Sequence, residues 1–298
     1  MTEPITVAVD GGQLAAFRLG AERADAPLVL AIHGITSTSR SWLAPARALG
    51  DRAALIAVDL RGRGRSNHLP PPFGLDAHVR DMIAVLDHLG LERATVTGHS
   101  LGAYVAARLA TSHPDRVDRL VLVDGGLVIP ESQAAADPEQ FIDTFLSATL
   151  ARLRMTFPDL EAYLDWWRQH PAVAGSDVDP ADLEAYAAHD LVGTPPELRS
   201  SINPQVVHDD GLDLFDHPDA DRLQVPALLL CAPKGMIDDP HPMQPLAAVE
   251  AWAAADPGHR QGVQVPGVNH YTIAWGRHGS VAVANAIVAG LVGSSAVG

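Results

Sequence analysis

The stretch VTGHSLGAYVAARLA, residues 96–110, passes from an apolar β-type segment through Gly-His-Ser-Leu-Gly into an alanine-rich helical segment. Gly98 and Gly102 stand two residues before and two residues after Ser100. A strand that turns sharply into a helix forces its central residue into a strained conformation, and side chains at the flanking positions would collide. Glycine at both positions lets Ser100 project its hydroxyl above a sheet. The stretch therefore predicts strand, turn and helix with a serine nucleophile at the apex.

The rest of the chain supplies that sheet. ITVAV (5–9), LAAFRL (14–19), LVLAIH (28–33) and ALIAVDL (54–60) read as strands, ATVTG (94–98) leads into the turn, and LVLVDG (120–125), PALLLC (226–231) and VQVPG (263–267) follow it. Between them, LDAHVRDMIAVLDHLGL carries Val79, Met82, Ile83, Val85, Leu86 and Leu89 at helical spacing and stops at Gly90. Near-continuous apolar strands alternating with helices indicate an α/β fold with a mostly parallel sheet covered on both faces. From about 126 to 215 the pattern is helical instead, clearest in FIDTFLSATLARLRM and LEAYLDWWRQH. A helical insertion into one α/β domain explains this order. The expected organisation is a core of residues 1–125 and 216–298 with a helical cap of residues 126–215.

Composition narrows the class further. The 298 residues are 47% hydrophobic and 19% charged, as in an ordinary globular protein, and the formal charge of −15 would repel a polyanion, so nucleic acid is not an expected partner. The single Cys231 excludes an intrachain disulfide framework. MTEPITVAVD lacks a basic start and an apolar signal core, and no apolar stretch approaches the roughly 20 residues of a membrane helix. A cytoplasmic protein without membrane contact is expected. No HExxH, CxxC, P-loop or dinucleotide fingerprint occurs, so neither a metal nor a cofactor is implied.

Four motifs, in this order, resemble those of the α/β-hydrolase superfamily: AIHGITS at 31–37, DLRGRGRS at 59–66, GHSLG at 98–102 and GVNHYTI at 267–273. The resemblance covers nearly the whole length. It implies an eight-stranded, mostly parallel sheet flanked by helices, a cap inserted after strand six, and a serine, acid and histidine triad. Ser100 is weak as a free nucleophile and needs a base; of the fourteen histidines, His270 lies where the family carries its catalytic one. By resemblance the oxyanion donors are the backbone N–H groups of Ile35 and Leu101. His33 is expected to brace its turn, and His99, His113 and His208 to be surface residues.

The acid stays open among three aspartates. The family usually places it shortly after strand seven, but that spacing falls close to Gly235, and Asp238 and Asp239 come about three residues late. Some members, haloalkane dehalogenases and certain lactonases among them, carry it at the end of strand six, where this chain has Asp124. Asp124 is placed first, with Asp238 and Asp239 as alternatives.

Eight of the fifteen aromatic residues fall in the insertion: Phe141, Phe145, Phe157, Tyr163, Trp166, Trp167, Tyr186 and Phe215. Helical aromatics usually pack, yet a cap also roofs the pocket, and Trp166, Trp167 and Met155 are the candidate contacts to an apolar or aromatic carbonyl substrate. Arg168 and His170 read as a solvated helix face. A serine rather than an aspartate nucleophile disfavours epoxide hydrolysis and dehalogenation. The expected activity is hydrolysis of a carboxylic ester, lactone or thioester through an acyl-enzyme on Ser100. A carbon-carbon bond hydrolase, a lyase, a perhydrolase or a slow ligand-binding member are the alternatives.

Overall fold

A computed structural model describes residues 4–129, 137, 139, 140, 144, 146–214 and 218–294. Its main sheet has eight strands: β1 (Ile5–Val9), β2 (Gly12–Gly20), β3 (Leu28–Ile32), β4 (Ala54–Val58), β5 (Ala94–His99), β6 (Val117–Val123), β7 (Ala227–Cys231) and β8 (Arg260–Gln264). They lie in the order β1-β2-β4-β3-β5-β6-β7-β8. The pairs β1 with β2 and β2 with β4 are antiparallel, and all the others are parallel.

The central strands are apolar on both faces because both faces are covered. Along β6, Leu120 and Leu122 enter one hydrophobic layer, with α2 (Leu75–His88) and α3 (Leu101–Ser112). Val121 and Val123 enter the opposite layer, with α1 (Leu43–Leu49) and α10 (Arg277–Ser294). The same alternation runs along β3, where Leu30 and Ile32 oppose Val29 and Ala31. This is the two-residue period of a strand buried on both sides. Edge strand β8 departs from it: its burial alternates, and it occupies 260–264 rather than 263–267. The expected range followed the apolar residues, whereas pairing with Ala227–Cys231 ends at Gln264, before Pro266 and the left-handed Gly267.

Between β6 and β7 the described chain is mainly helical: α4 (Ser147–Leu153), α5 (Leu160–Gln169), α6 (Pro180–Asp190) and α7 (Pro204–Asp213). A two-residue ladder, Leu191–Val192 against Arg199–Ser200, joins α6 to α7. The helix starts are local chemistry. Asp159, Asp179 and Asn203 each accept a hydrogen bond from a first-turn N–H, and Pro180 and Pro204 occupy the first helical position. The remaining helices, α8 (Leu246–Ala255) and α9 (Thr272–Trp275), belong to the sheet-bearing part. Among the described residues no helix is long and apolar enough to cross a membrane.

Helix α3 lies against β3 at a separation that only glycine permits. A Cβ on Gly102 would meet Ile32 O at 2.0 Å and the Ile32 carbonyl carbon at 2.6 Å, both backbone atoms that cannot swing away. Gly102→Ala is expected to lower stability by about 3 kcal/mol or more, the upper range for overpacking a close-packed interior. Urea unfolding checks this, and a midpoint unchanged from the parent would refute the close contact.

Candidate active site

Ser100 sits between β5 and α3 with φ 54° and ψ −123°. Its N–H donates to Val123 O at 3.0 Å, and its carbonyl accepts from Ala103 N at 2.9 Å, so the turn is pinned to β6 on one side and to the helix on the other. A Cβ on Gly98 would meet Gly102 O at 2.0 Å, which explains the paired glycines. A third glycine, not singled out by the pentapeptide, is equally constrained: a Cβ on Gly125 would lie 2.6 Å from Ser100 O.

Asp124, at the end of β6, is a second non-glycine residue with positive φ, 46°. Aspartate tolerates this region better than most side chains. Its N–H donates to Leu230 O at 2.7 Å, and Ala232 N donates to its Oδ1 at 2.9 Å, fastening it to both ends of the chain leaving β7. The remaining oxygen, Oδ2, lies 2.7 Å from His270 Nδ1. Both side chains are buried, at 0% and 5% exposure, so water does not compete for this contact.

The structure does not bring Asp238 or Asp239 to His270. Asp238 accepts from Lys234 Nζ at 2.7 Å and from Asn269 Nδ2 at 3.1 Å. Asp239 accepts from the backbone of His241 at 3.0 Å and holds the 235–241 loop closed. The Asp238 contact identifies a residue the sequence reading missed. Asn269 Oδ1 accepts from Tyr271 N and Thr272 N, and its Nδ2 also donates to Ala172 O at 2.9 Å, so Asn269 shapes the turn that carries His270. Its place beside the candidate base was the available signal.

The loop after β3 carries Gly34 and Ile35. His33 Nδ1 donates to Gly34 O at 2.7 Å while its Nε2 accepts from Leu60 N at 3.0 Å, and Ser37 N also donates to Gly34 O. In a trans peptide the carbonyl and the following N–H point in opposite directions. Fixing Gly34 O therefore aims the Ile35 N–H the other way. Leu101 is the first residue of α3, where a helix leaves N–H groups without intrahelical partners.

Ser100 and His270 open onto one small, partly open cavity, whose wall also includes Gly34, Ile35, Leu146, Thr149, Met236, Tyr271 and Trp275. The substrate-contact candidates lie elsewhere. Trp167 is buried in a hydrophobic layer beside Tyr186 and Trp275, Trp166 packs on that layer, and Met155 is exposed. Phe157, Tyr163 and Tyr186 are core residues too, and Phe141, Phe145 and Phe215 lie outside the described residues. Packing claimed the aromatic side chains because large apolar rings gain most from complete burial. Arg168 is exposed and paired with Glu161 and Asp165, whereas His170 is half-buried against Trp166 and Tyr271, with its pKa lowered to about 4 by burial and then by Arg152.

Among the described residues no group of three or more His, Cys, Asp or Glu could hold a metal ion. Residues 27–276 match the family described as the alpha/beta hydrolase fold. The protein named "Putative carbamate hydrolase RutD" from Caulobacter segnis is 31% identical over 261 residues, covering 85% of this chain and 84% of its own. Lipase LipV of Mycobacterium tuberculosis is 34% identical over 167 residues, covering 56% of this chain and 58% of its own. In fold, the chain is similar to E-2-(acetamidomethylene)succinate hydrolase, with a TM-score of 0.78 at 22% identity over 97% of this chain and all of that one.

His99 corrects the expectation of a surface residue. It is buried beneath the site, its Nε2 donates to His270 O at 2.8 Å, and its ring lies 4.8 Å from that of His270. Burial, with a smaller contribution from His270, lowers its pKa to about 3, and burial lowers that of His33 to about 3 as well. The unfolded chain therefore binds protons that the fold refuses as pH falls from about 6.5 toward 3. The stability these neutral rings carry is complete above pH 6.5 and is lost through that window. Replacing His99 with Gln, which retains a donor for His270 O, should flatten the decline of unfolding free energy by about 1 kcal/mol per pH unit between pH 6 and 4. Urea titrations at several pH values measure it, and an unaltered slope would show that His99 is not among the groups responsible.

Proposed function

The chain belongs to the alpha/beta hydrolase family, and from that premise we propose that it is a serine hydrolase of small carbonyl substrates. The observation that carries this reading is the shared cavity. Ser100 on its strained turn and His270 face the same space, and the far side of the imidazole meets a buried carboxylate at 2.7 Å.

With Nδ1–H donating to Asp124, His270 keeps Nε2 as the acceptor. It takes the proton from Ser100 as the hydroxyl oxygen attacks the carbonyl, then delivers it to the leaving group. The charge that develops on the carbonyl oxygen is met by the N–H groups of Ile35 and Leu101, and the first turn of α3 adds its positive end. Water, activated by the same histidine, releases the acyl group. Asp238 serves the site indirectly, through Asn269.

We read residues 126–215 as a cap over this site, with Leu146 and Thr149 as its contribution to the cavity wall. The remaining wall, from Met236, Tyr271 and Trp275, is largely apolar, and among the described residues that line the cavity there is no lysine, arginine, aspartate or glutamate. An uncharged substrate of modest size suits such a wall. Carboxylic esters, lactones and thioesters are the proposed class, and the name of the Caulobacter relative adds carbamates to the compounds worth assaying.

A fluorophosphonate probe should label Ser100 in the wild type and not in Ser100→Ala, and labelled protein should hydrolyse at least one member of an ester, lactone, thioester and carbamate panel. Absence of both labelling and turnover would favour a binding protein instead. Asp124→Asn should lower kcat roughly 10,000-fold with the fold intact, because the amide favours the wrong imidazole tautomer. Asp238→Asn should keep most of its turnover. Near-normal turnover in Asp124→Asn would remove Asp124 from the proposed triad.

A further inference from the structure

Two buried guanidinium groups reach consecutive carbonyls of the loop that carries Ile35. Arg63 Nε donates to Ile35 O at 3.0 Å, and Arg152 Nη2 donates to Thr36 O at 2.9 Å. Each is paired with a carboxylate from the segment between β6 and β7. Arg63 meets Asp210 of α7 at 2.5 Å, Arg152 meets Asp190 of α6 at 3.0 Å, and none of the four side chains is more than 2% exposed. Arg152 itself belongs to α4 of that segment.

The Arg152 arrangement is extensively satisfied. Asp190 Oδ1 accepts from the hydroxyls of Ser200 and Ser201 at 2.9 and 3.0 Å, and Oδ2 accepts from Tyr163 as well as from Arg152. Tyr186 adds a second donation to Thr36 O at 3.3 Å. Buried ion pairs of this kind contribute little net stability compared with apolar residues of the same volume. What they do fix is geometry. Gly34 O is held by His33 and Ser37 within the loop, and Ile35 O by Arg63 and Thr36 O by Arg152 and Tyr186 from outside it, so three successive peptide planes around the Ile35 N–H are set. Two of these holds come from the inserted helices.

We propose that Arg152 is a positioning residue for acyl transfer, through which the inserted helical segment holds the oxyanion loop by Thr36 O. Arg152 does not line the cavity, so it acts through the loop and not on substrate. The inference rests on the serine hydrolase reading above. It assigns the insertion a role in the rate of the chemical step, besides any part in shaping the pocket.

Arg152→Lys keeps a cation opposite Asp190, but an ammonium on a flexible stem does not reproduce the planar fork that serves Asp190, Tyr163 and Thr36 O together. With an ester that the wild type turns over, kcat is expected to fall about 10- to 100-fold, less than or equal to the loss of a whole oxyanion donor. KM should stay within about threefold. Affinity for a trifluoromethyl ketone, whose adduct with Ser100 places an oxyanion in the hole, should fall by the same factor as kcat. Tyr186→Phe, which removes only the longer donation, should show the same division between kcat and KM to a smaller extent, and it carries the test if Arg152→Lys does not fold. Unchanged kcat per titrated active site in the variant, or a raised KM with unchanged kcat, overturns the inference alone. Failure of the wild type to label with fluorophosphonate or to turn over any ester overturns the hydrolase reading and this inference with it.

Discussion

The structure depends on one strained residue. Ser100 holds a positive φ that costs a non-glycine residue on the order of 1 to 3 kcal/mol, and the surroundings have to over-determine it. They do so with backbone. The hydrogen bond to Val123 O ties the turn to β6; Gly98 lets the turn close on itself, and Gly102 and Gly125 let it approach β3 and the chain after β6 within distances no Cβ would allow. The spacing of α3 from β3, and of the Asp124 turn from Ser100, follows from that requirement. Strand order then brings the carboxyl ends of β3, β5, β6 and β7 side by side, where the loops carrying Ile35, Ser100, Asp124 and Lys234 emerge.

Around this turn the buried charges are neutralised by partners on the loops and helices beside the sheet. Asp59 accepts from Ser39 N, Arg65 N and His189, and although burial works to raise its pKa, these contacts hold it at about 2. Arg61 makes a two-point contact with Asp81, both buried. Two partners come from the helices between β6 and β7: His189 meets Asp59, and Asp210 meets Arg63 and His78 of α2. The helical segment between β6 and β7 is thus joined to the sheet-bearing part by charge pairs whose separations are set by hydrogen-bond length, a tighter specification than apolar packing gives.

What was legible in the sequence was what is local or periodic. The turn at Ser100, the central strands and helix α2 are encoded within a few residues each, by glycine spacing and by apolar repeats. The fold followed from their order. Tertiary facts were not legible. His99 looked like a surface residue because nothing in GHSLG reveals that its side chain points under the His270 loop. Trp166, Trp167 and Met155 are candidates by chemical type, whereas the described residues of the cavity wall include Leu146, Thr149, Met236, Tyr271 and Trp275, drawn from the segment between β6 and β7, the loop after β7 and the chain that follows His270. Edge strand β8 was misplaced by three residues because half of an edge strand is polar, and its apolar tail was mistaken for its centre.

The three aspartates differ in what already holds their oxygens. Asp238 and Asp239 sit on a loop whose own closure consumes their oxygens, in bonds to Lys234, Asn269 and the 237–241 backbone. A carboxylate there would have to leave those partners to serve a histidine. Asp124 has no such conflict. Its backbone continues the ladder to β7, one oxygen is satisfied by Ala232 N, and the other is left directed at His270. A strand end flanked on both sides by parallel neighbours holds a side chain more rigidly than a surface loop does, and an orienting acid needs rigidity more than reach. Met236, from the same loop as Asp238 and Asp239, lines the cavity instead.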